Sequence, residues 1–319
     1  MKSFFYLFVI LLFTGKGFAQ NFDKIDEQAR AYPLFREASS LAKQIKKDFS
    51  TDTEKTRALF VWLTKNISYD LNEFYRGKKQ YSFRYASQKE LENLIKKRND
   101  ELVHKTLKTR KAVCEGYAQT FQSVCHLLAI ECEVISGFTK TSASEIGELP
   151  LGGRHAWNAV KINKQWQLID ATWGAGFSEN NKWIRKFDGH FFFTAPKQLL
   201  NSHYPINSNW QLIPNPIHEK EFADKPIYSP SFYNSCISLK SPLAGLISTK
   251  NKKFITVQFK NMAPDCELGY AYEKDYYLTT IIPEVNQNGT SIKIPCQGKR
   301  NTTLHIIANG ETVLHYKIR

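Results

Sequence analysis

The stretch "RHAWNAVKINKQWQLIDATW", residues 154–173, holds two alternating runs separated by Asn163-Lys164. Alternation of apolar and polar residues is the period of a half-buried strand. Two residues between such runs leave room only for a tight reversal, and that reversal sets the register. Trp157 then falls opposite Asp170, and His155 opposite Thr172. All four project from one face, because strand side chains alternate. A slip of one residue would put His155 and Asp170 on opposite faces. In register they are diagonal neighbours, ~7–8 Å apart at the backbone and within reach of an imidazole and a carboxylate. Asn158 points the other way and reads as structural.

The flanking sequence supplies helices. From Phe22 to about Thr64 the pattern is helical, and "TDTEKTRALFVWLTKNI" offers Asp52 or Thr53 as an N-cap before Leu59, Phe60, Leu63 and Ile67. Residues 69–111 are polar and basic and read as short helices between loops. Residues 114–130 are helical again, with Tyr117, Phe121, Val124, Cys125 and Leu128 on one face and Cys114 at the start. Gly116 permits close approach of another backbone there. "CEVISGF" is a third strand, and the polar loop from Thr139 to Arg154, ending in Gly152-Gly153, suits a mobile cover. Beyond a proline-rich linker, the last ninety or so residues are short alternating runs with turn residues between them. Asn309-Gly310 is a strong hairpin signal. These runs predict an immunoglobulin-like β-sandwich over 231–319, appended to an α+β domain over 20–230.

Residues 1–19 read as a cleaved secretory signal, with an apolar run from Phe4 to Phe13 and the small residues Gly17 and Ala19. Export follows, to the periplasm or the medium, with no stable membrane insertion after cleavage. Removal of that segment takes Lys2 and Lys16 and no acid, so the formal charge falls from +14 to +12. The basic residues lack an aromatic ladder or finger motif, so nucleic acid is excluded as a partner. A basic surface favours an anionic extracellular polymer, and a solvated basic face is the plainer reading. Six cysteines without a C-x-x-C pair make neither a disulfide scaffold nor a structural zinc site. Cys132, alternating with Ile130 and Val134, faces inward. Among Cys236, Cys266 and Cys296, the odd number leaves at least one without a local partner.

Cys114 is the one cysteine with chemistry in prospect. A helix start supplies N–H groups and a dipole that favour a thiolate. A histidine oriented by a carboxylate supplies the matching base, the arrangement of covalent acyl transfer. "VCEGYAQTFQSVC", "RHAWNAVKINKQWQLIDATWGAG" and "RALFVWLTKNISYD" together resemble the transglutaminase-like superfamily, in its kyphoscoliosis peptidase-like branch, as does "HFFFTAPKQLL…HYPINSNWQL". The resemblance implies a papain-like fold, with a nucleophile helix packed on an antiparallel sheet. It places the nucleophile on Cys114, the base on His155 and the orienting acid on Asp170, with no metal or organic cofactor. The implied activity is that of a secreted cysteine peptidase or protein-glutamine acyltransferase acting on peptide or isopeptide amides of a protein substrate. The alternative is a non-catalytic secreted binding or adhesion module on the same fold. Trp157, Trp166 and Trp173 read as packing around the hairpin, and His126, His190 and His203 as surface or core histidines. Tyr69 and Arg154 are candidates for the cleft, and one oxyanion donor is the Cys114 N–H.

Overall fold

A computed structural model describes residues 22–77, 82–149, 154–287, 289–296 and 298–319. The segment read as a signal, the glycine pair at 152–153 and the side chain of Arg154 lie outside what is described. Three helices open the chain: α1 (Asp23–Arg30), α2 (Ala38–Asp48) and α3 (Asp52–Asn66). The cap of α3 is Thr51, one residue before the expected Asp52. Its hydroxyl accepts from the Glu54 N–H while the Glu54 carboxylate accepts from the Thr51 N–H, which satisfies two orphan donors at once. Residues 69–111 also differ from expectation. After the short α4 (Leu71–Tyr75) comes a single helix of 22 residues, α5 (Gln88–Thr109), capped by Ser87 and stopped by Arg110 in the left-handed region. Its many charges form a solvated outer face, and only Val103, Thr106 and Leu107 are buried.

Helix α6 (Cys114–Leu127) follows at once. The short strands β1 (Ser68–Tyr69) and β2 (Lys111–Ala112) pair in parallel just before it, and this sets Tyr69 beside Ala112. A Cβ on Gly116 would lie 2.6 Å from the Ala112 Cβ and 2.7 Å from the Thr106 hydroxyl, so only glycine lets α5 and α6 meet there. The central sheet is antiparallel with strand order β8-β5-β4-β3-β9. Its members are β3 (Cys132–Thr139), β4 (Arg154–Ile162), β5 (Gln165–Ile169), β8 (Phe192–Thr194) and β9 (His203–Pro205), with the β6 (Gly176–Glu179) and β7 (Lys182–Arg185) hairpin between β5 and β8. The β4–β5 turn pivots on Asn163 and Lys164 as expected. Both have positive φ, and Ile162 pairs with Gln165. The ladder stops at Asn158–Ile169, however, and Thr172 enters a helical turn instead of facing His155.

The two faces of this sheet are covered differently. Helix α6 covers the even-numbered face of β4: Ala156 packs with Cys114 and Ala118, and Asn158 Nδ2 donates to the Ala118 carbonyl at 3.1 Å. Trp157 and Leu168 on the odd face meet Leu199, Leu200, His203 and Trp210. Helix α6 therefore packs on the face opposite the one that His155 and Trp157 share. A buried asparagine needs partners, and the helix backbone provides one.

The segment read as a linker is structured. It carries α8 (Glu219–Asp224), after the short α7 (Pro196–Leu199), and β10 (Ile227–Tyr228), which pairs with the last strand, β19 (Glu311–Ile318). The C-terminal region holds two sheets. One joins β10 and β19 to β18 (Thr302–Ala308), β14 (Leu268–Tyr272) and β15 (Thr279–Thr280) in that order, with β12 (Leu246–Ile247) also on β19, and the other joins β11 (Ile237–Ser241), β13 (Phe254–Met262), β17 (Gly289–Pro295) and β16 (Glu284–Asn286). Both contribute to one core, including Val257, Phe259 and Ile292 from β13 and β17, and Leu304 and Leu314 from β18 and β19. The β18–β19 turn is Asn309-Gly310. Cys236 and Cys266 form a disulfide, which leaves Cys296 as the odd one. Among the described residues no helix is long and apolar enough to cross a membrane.

Gly137 on β3 makes room for the Trp157 ring. A Cβ there would sit 2.4 Å from the indole and 2.3 Å from the Tyr204 carbonyl, so two neighbours would have to move. Gly137→Ala should lower stability by about 2–3 kcal/mol, the scale of overpacking in a closed core. Urea unfolding of the two proteins checks this, and an unchanged midpoint would contradict the packing described.

Candidate active site

Asp170 lies one residue past the end of β5, 1% exposed. Its carboxylate has donors on both oxygens. Oδ1 accepts the backbone N–H groups of Thr172 at 2.8 Å and Trp173 at 3.0 Å. Oδ2 lies 2.6 Å from His155 Nε2 and 3.0 Å from His203 Nε2. The turn that takes Thr172 out of the ladder is thus what aims two N–H groups back at the acid. A buried carboxylate without such donors would neutralise instead.

His155, on β4, is 8% exposed and stacks on Trp157 with ring centroids 6.0 Å apart. Burial depresses its pKa, but the Asp170 charge and the neighbouring Cys114 outweigh burial and raise it from 6.5 to about 10. For Asp170, burial pushes upward, while the His155 charge and the bonds from both histidines hold the carboxyl well below the usual carboxylate range. Both shifts favour an aspartate–imidazolium ion pair at neutral pH.

Cys114 opens α6 and is 4% exposed. No side chain caps the helix at Val113, and the positive end of the helix dipole lies at Cys114. The thiol hydrogen-bonds with His155. Because Nε2 is committed to Asp170, Nδ1 is the ring nitrogen left for sulfur. The residues that the sequence singled out therefore come together, although the helix and the acid approach His155 from opposite faces of the sheet and meet at its end. Cys125 differs. Burial, then its bond with Cys132, pushes that thiol well above its ordinary value. Tyr69 does border the site, its hydroxyl raised by burial and then by the charges of Cys114 and Asp170. The β6–β7 hairpin brings Trp183 onto it, stacked at 5.6 Å.

His203 belongs here too, contrary to its reading as an unrelated surface or core histidine. It reaches Asp170 from β9, which pairs with β3 through Thr139–His203. Its ring is fully buried against Trp173, with centroids 4.5 Å apart. Sequence spacing held no sign of it, since β9 joins the sheet after a crossover past α7. His155, Asp170 and His203 present three potential metal-ligand atoms within 4.8 Å of one another. Those atoms already satisfy one another by hydrogen bonding, so the cluster is self-sufficient.

Replacing Asp170 with asparagine should cost about 3–5 kcal/mol near neutrality, because a buried imidazolium loses its counter-charge. The raised His155 pKa makes its contribution full below pH 6.5 and fading as pH climbs through about 10. The lowered Asp170 pKa makes its contribution full above about pH 4 and lost in stronger acid. The stability difference between wild type and Asp170→Asn should therefore be widest between about pH 4 and 6.5 and narrow toward pH 10. Denaturant titrations across that range test it, and a gap independent of pH would contradict the ion pair.

The sequence signature of the transglutaminase-like superfamily matches residues 39–171, a span that contains Cys114, His155 and Asp170. Human kyphoscoliosis peptidase is 29% identical over 248 residues, covering 77% of this chain and 34% of its own length. The mouse protein is 25% identical over 306 residues, covering 93% and 43%. The chain thus spans only between a third and a half of these relatives. A solved structure described as a TGase aligns with 55% of this chain and 37% of its own, at 18% identity and a TM-score of 0.29, too low to bear on function. The chain therefore carries a transglutaminase-like domain over residues 39–171, with the helix start at Cys114, His155 and Asp170 inside it, and is similar to kyphoscoliosis peptidase.

Proposed function

We propose that the protein is an exported, cysteine-dependent acyl-transfer enzyme acting on peptide or isopeptide amides. The observation that carries the reading is the contact of the α6-terminal Cys114 with His155, whose Nε2 is bonded to a buried carboxylate at 2.6 Å. In this reading the Cys114 thiolate attacks the amide carbon and forms a C–S bond. The carbonyl oxygen becomes an oxyanion facing the Cys114 N–H. Collapse breaks the C–N bond, and His155 Nδ1 gives its proton to the departing amine. Water or a second amine, deprotonated by the now neutral His155, then attacks the thioester and releases the acyl group and the thiol. Asp170 keeps the imidazole turned and supports its charge without taking the proton. Peptidase and acyltransferase differ only in the acceptor of the second half.

Export is supported by the apolar, lysine-flanked opening of the chain and by the Cys236–Cys266 disulfide, a bond that persists in oxidising compartments. A second reading, the non-catalytic binding module, is favoured by the tightness of the site, where Cys114 and His155 are almost wholly covered.

Iodoacetamide separates the two. Cys114 should be alkylated faster than Cys125, Cys132 and Cys296 near neutral pH, because only Cys114 has a helix start and an imidazolium beside it. His155→Ala should slow that reaction by roughly tenfold or more, the scale on which a thiol loses its anion when its pKa returns to the ordinary range. Peptide mapping of the alkylated chain reads both rates. Equal rates in wild type and His155→Ala would sink the enzyme reading and leave the module.

A further inference from the structure

We infer that His203 is a positioning residue for His155, acting through the shared oxygen of Asp170. Its geometry stands on its own, and its consequence for reactivity rests on the acyl-transfer reading above.

A carboxylate has room for about four donors, and Asp170 has four: two backbone N–H groups on Oδ1 and two imidazole Nε2 atoms on Oδ2. Since an ionised carboxylate only accepts, both Nε2 atoms carry hydrogen. The other nitrogen of His203, Nδ1, lies 2.8 Å from the Ser202 hydroxyl, which has the Leu199 carbonyl as a weaker alternative acceptor at 3.4 Å. In a neutral imidazole with hydrogen on Nε2, Nδ1 accepts, so Ser202 donates to it. The charged groups facing His203 are Asp170 and His155, with His190 beyond them. Two positive rings with centroids 5.4 Å apart on one carboxylate would repel, so a single charge resides there, on His155. Burial, which lowers the His203 pKa to about 4, agrees with that assignment.

A neutral donor on Oδ2 does two things. It fixes the carboxylate against rotation, because β9 is tied into the sheet edge and the Lys140 N–H holds the Ser202 carbonyl at 2.9 Å. It also draws on the electron density that Oδ2 offers His155, so the imidazolium is stabilised less than by an unshared carboxylate. A base that must return its proton to a leaving amine benefits from that restraint.

The test uses the full chain. The rate of Cys114 alkylation by iodoacetamide, followed against pH, should rise in two steps, the upper one marking loss of the His155 proton. In His203→Leu that upper inflection should move up by about one pH unit, the scale set by one lost hydrogen bond to a charged group. His203→Gln, which keeps an N–H donor, should return it most of the way. An upper inflection that is unmoved in His203→Leu, whatever the loss of stability, would overturn the inference. Nitrogen-15 imidazole spectra of the wild type decide the same point where the leucine variant does not fold. His203 should be neutral with hydrogen on Nε2 at pH 7, and a charged ring or hydrogen on Nδ1 would overturn it. If wild-type Cys114 instead reacts as an ordinary thiol in a single step, the acyl-transfer reading fails, while the spectra still decide the geometry of His203.

Discussion

A carboxylate sealed from water is tolerable only when donors replace the water it has lost, and Asp170 draws those donors from three separate parts of the chain. Two come from the turn at Thr172 and Trp173, one from β4 and one from β9. Each element is constrained by supplying its donor. The turn leaves the β5 ladder, and the Asp170 N–H bonds the Phe191 carbonyl to hold the departing backbone. The indoles of Trp157 and Trp173 close around the histidines and keep the local dielectric low, which strengthens each of these bonds. Removing any one donor would leave a buried charge less well paired, so the acid determines the geometry around it.

The nucleophile is placed by a different set of contacts. Asn158 and Ala156 hold α6 on the opposite face of the sheet, the narrow seam at Gly116 sets it against α5, and Cys114 packs beside Ala156 near the first end of β4. Cys114 meets His155 at that end, where α6 begins. The parallel pairing of β1 and β2 delivers Tyr69 to the same place. Sulfur, imidazole and carboxylate are thus held by three largely independent packings, and small shifts in one are not forced on the others.

What was legible in the sequence divides along the range of the interactions. Asn163 and Lys164 set a register that follows from counting, and counting put His155 within reach of Asp170. The hydrophobic stripe of α6 and the cysteine at its start were equally local signals. The failures were nonlocal or competitive. Thr51 caps α3 rather than Asp52 because it can enter a reciprocal pair with Glu54, a match that neither Asp52 nor Thr53 makes here. The single helix α5 was hidden by its charges, since only a short apolar face near its end is buried. The face on which α6 packs depended on where Asn158 finds a partner, and strand alternation alone cannot choose between two faces. His203 was invisible because its role is created by a crossover that no spacing encodes.

The supposed linker shows how far that nonlocality extends. Lys140, just past β3, sends its ammonium group into the end of α8, where it donates to the carbonyls of Phe222, Ala223 and Lys225 at 2.8, 3.2 and 2.7 Å. Its own N–H holds Ser202, the residue that fixes the tautomer of His203. A few residues on, Ile146 packs with Ile227 and Leu246, and Ile227 pairs with β19 of the C-terminal sheet. One buried lysine therefore stands between β9 and the chain that leads into the sandwich. Its three carbonyl partners match the three hydrogens of an ammonium group, although burial lowers its pKa to about 7. The strand that carries His203 is thereby anchored by contacts that begin at the C-terminal core, and the environment of Asp170 is a property of the chain well beyond the stretch that carries the matched residues.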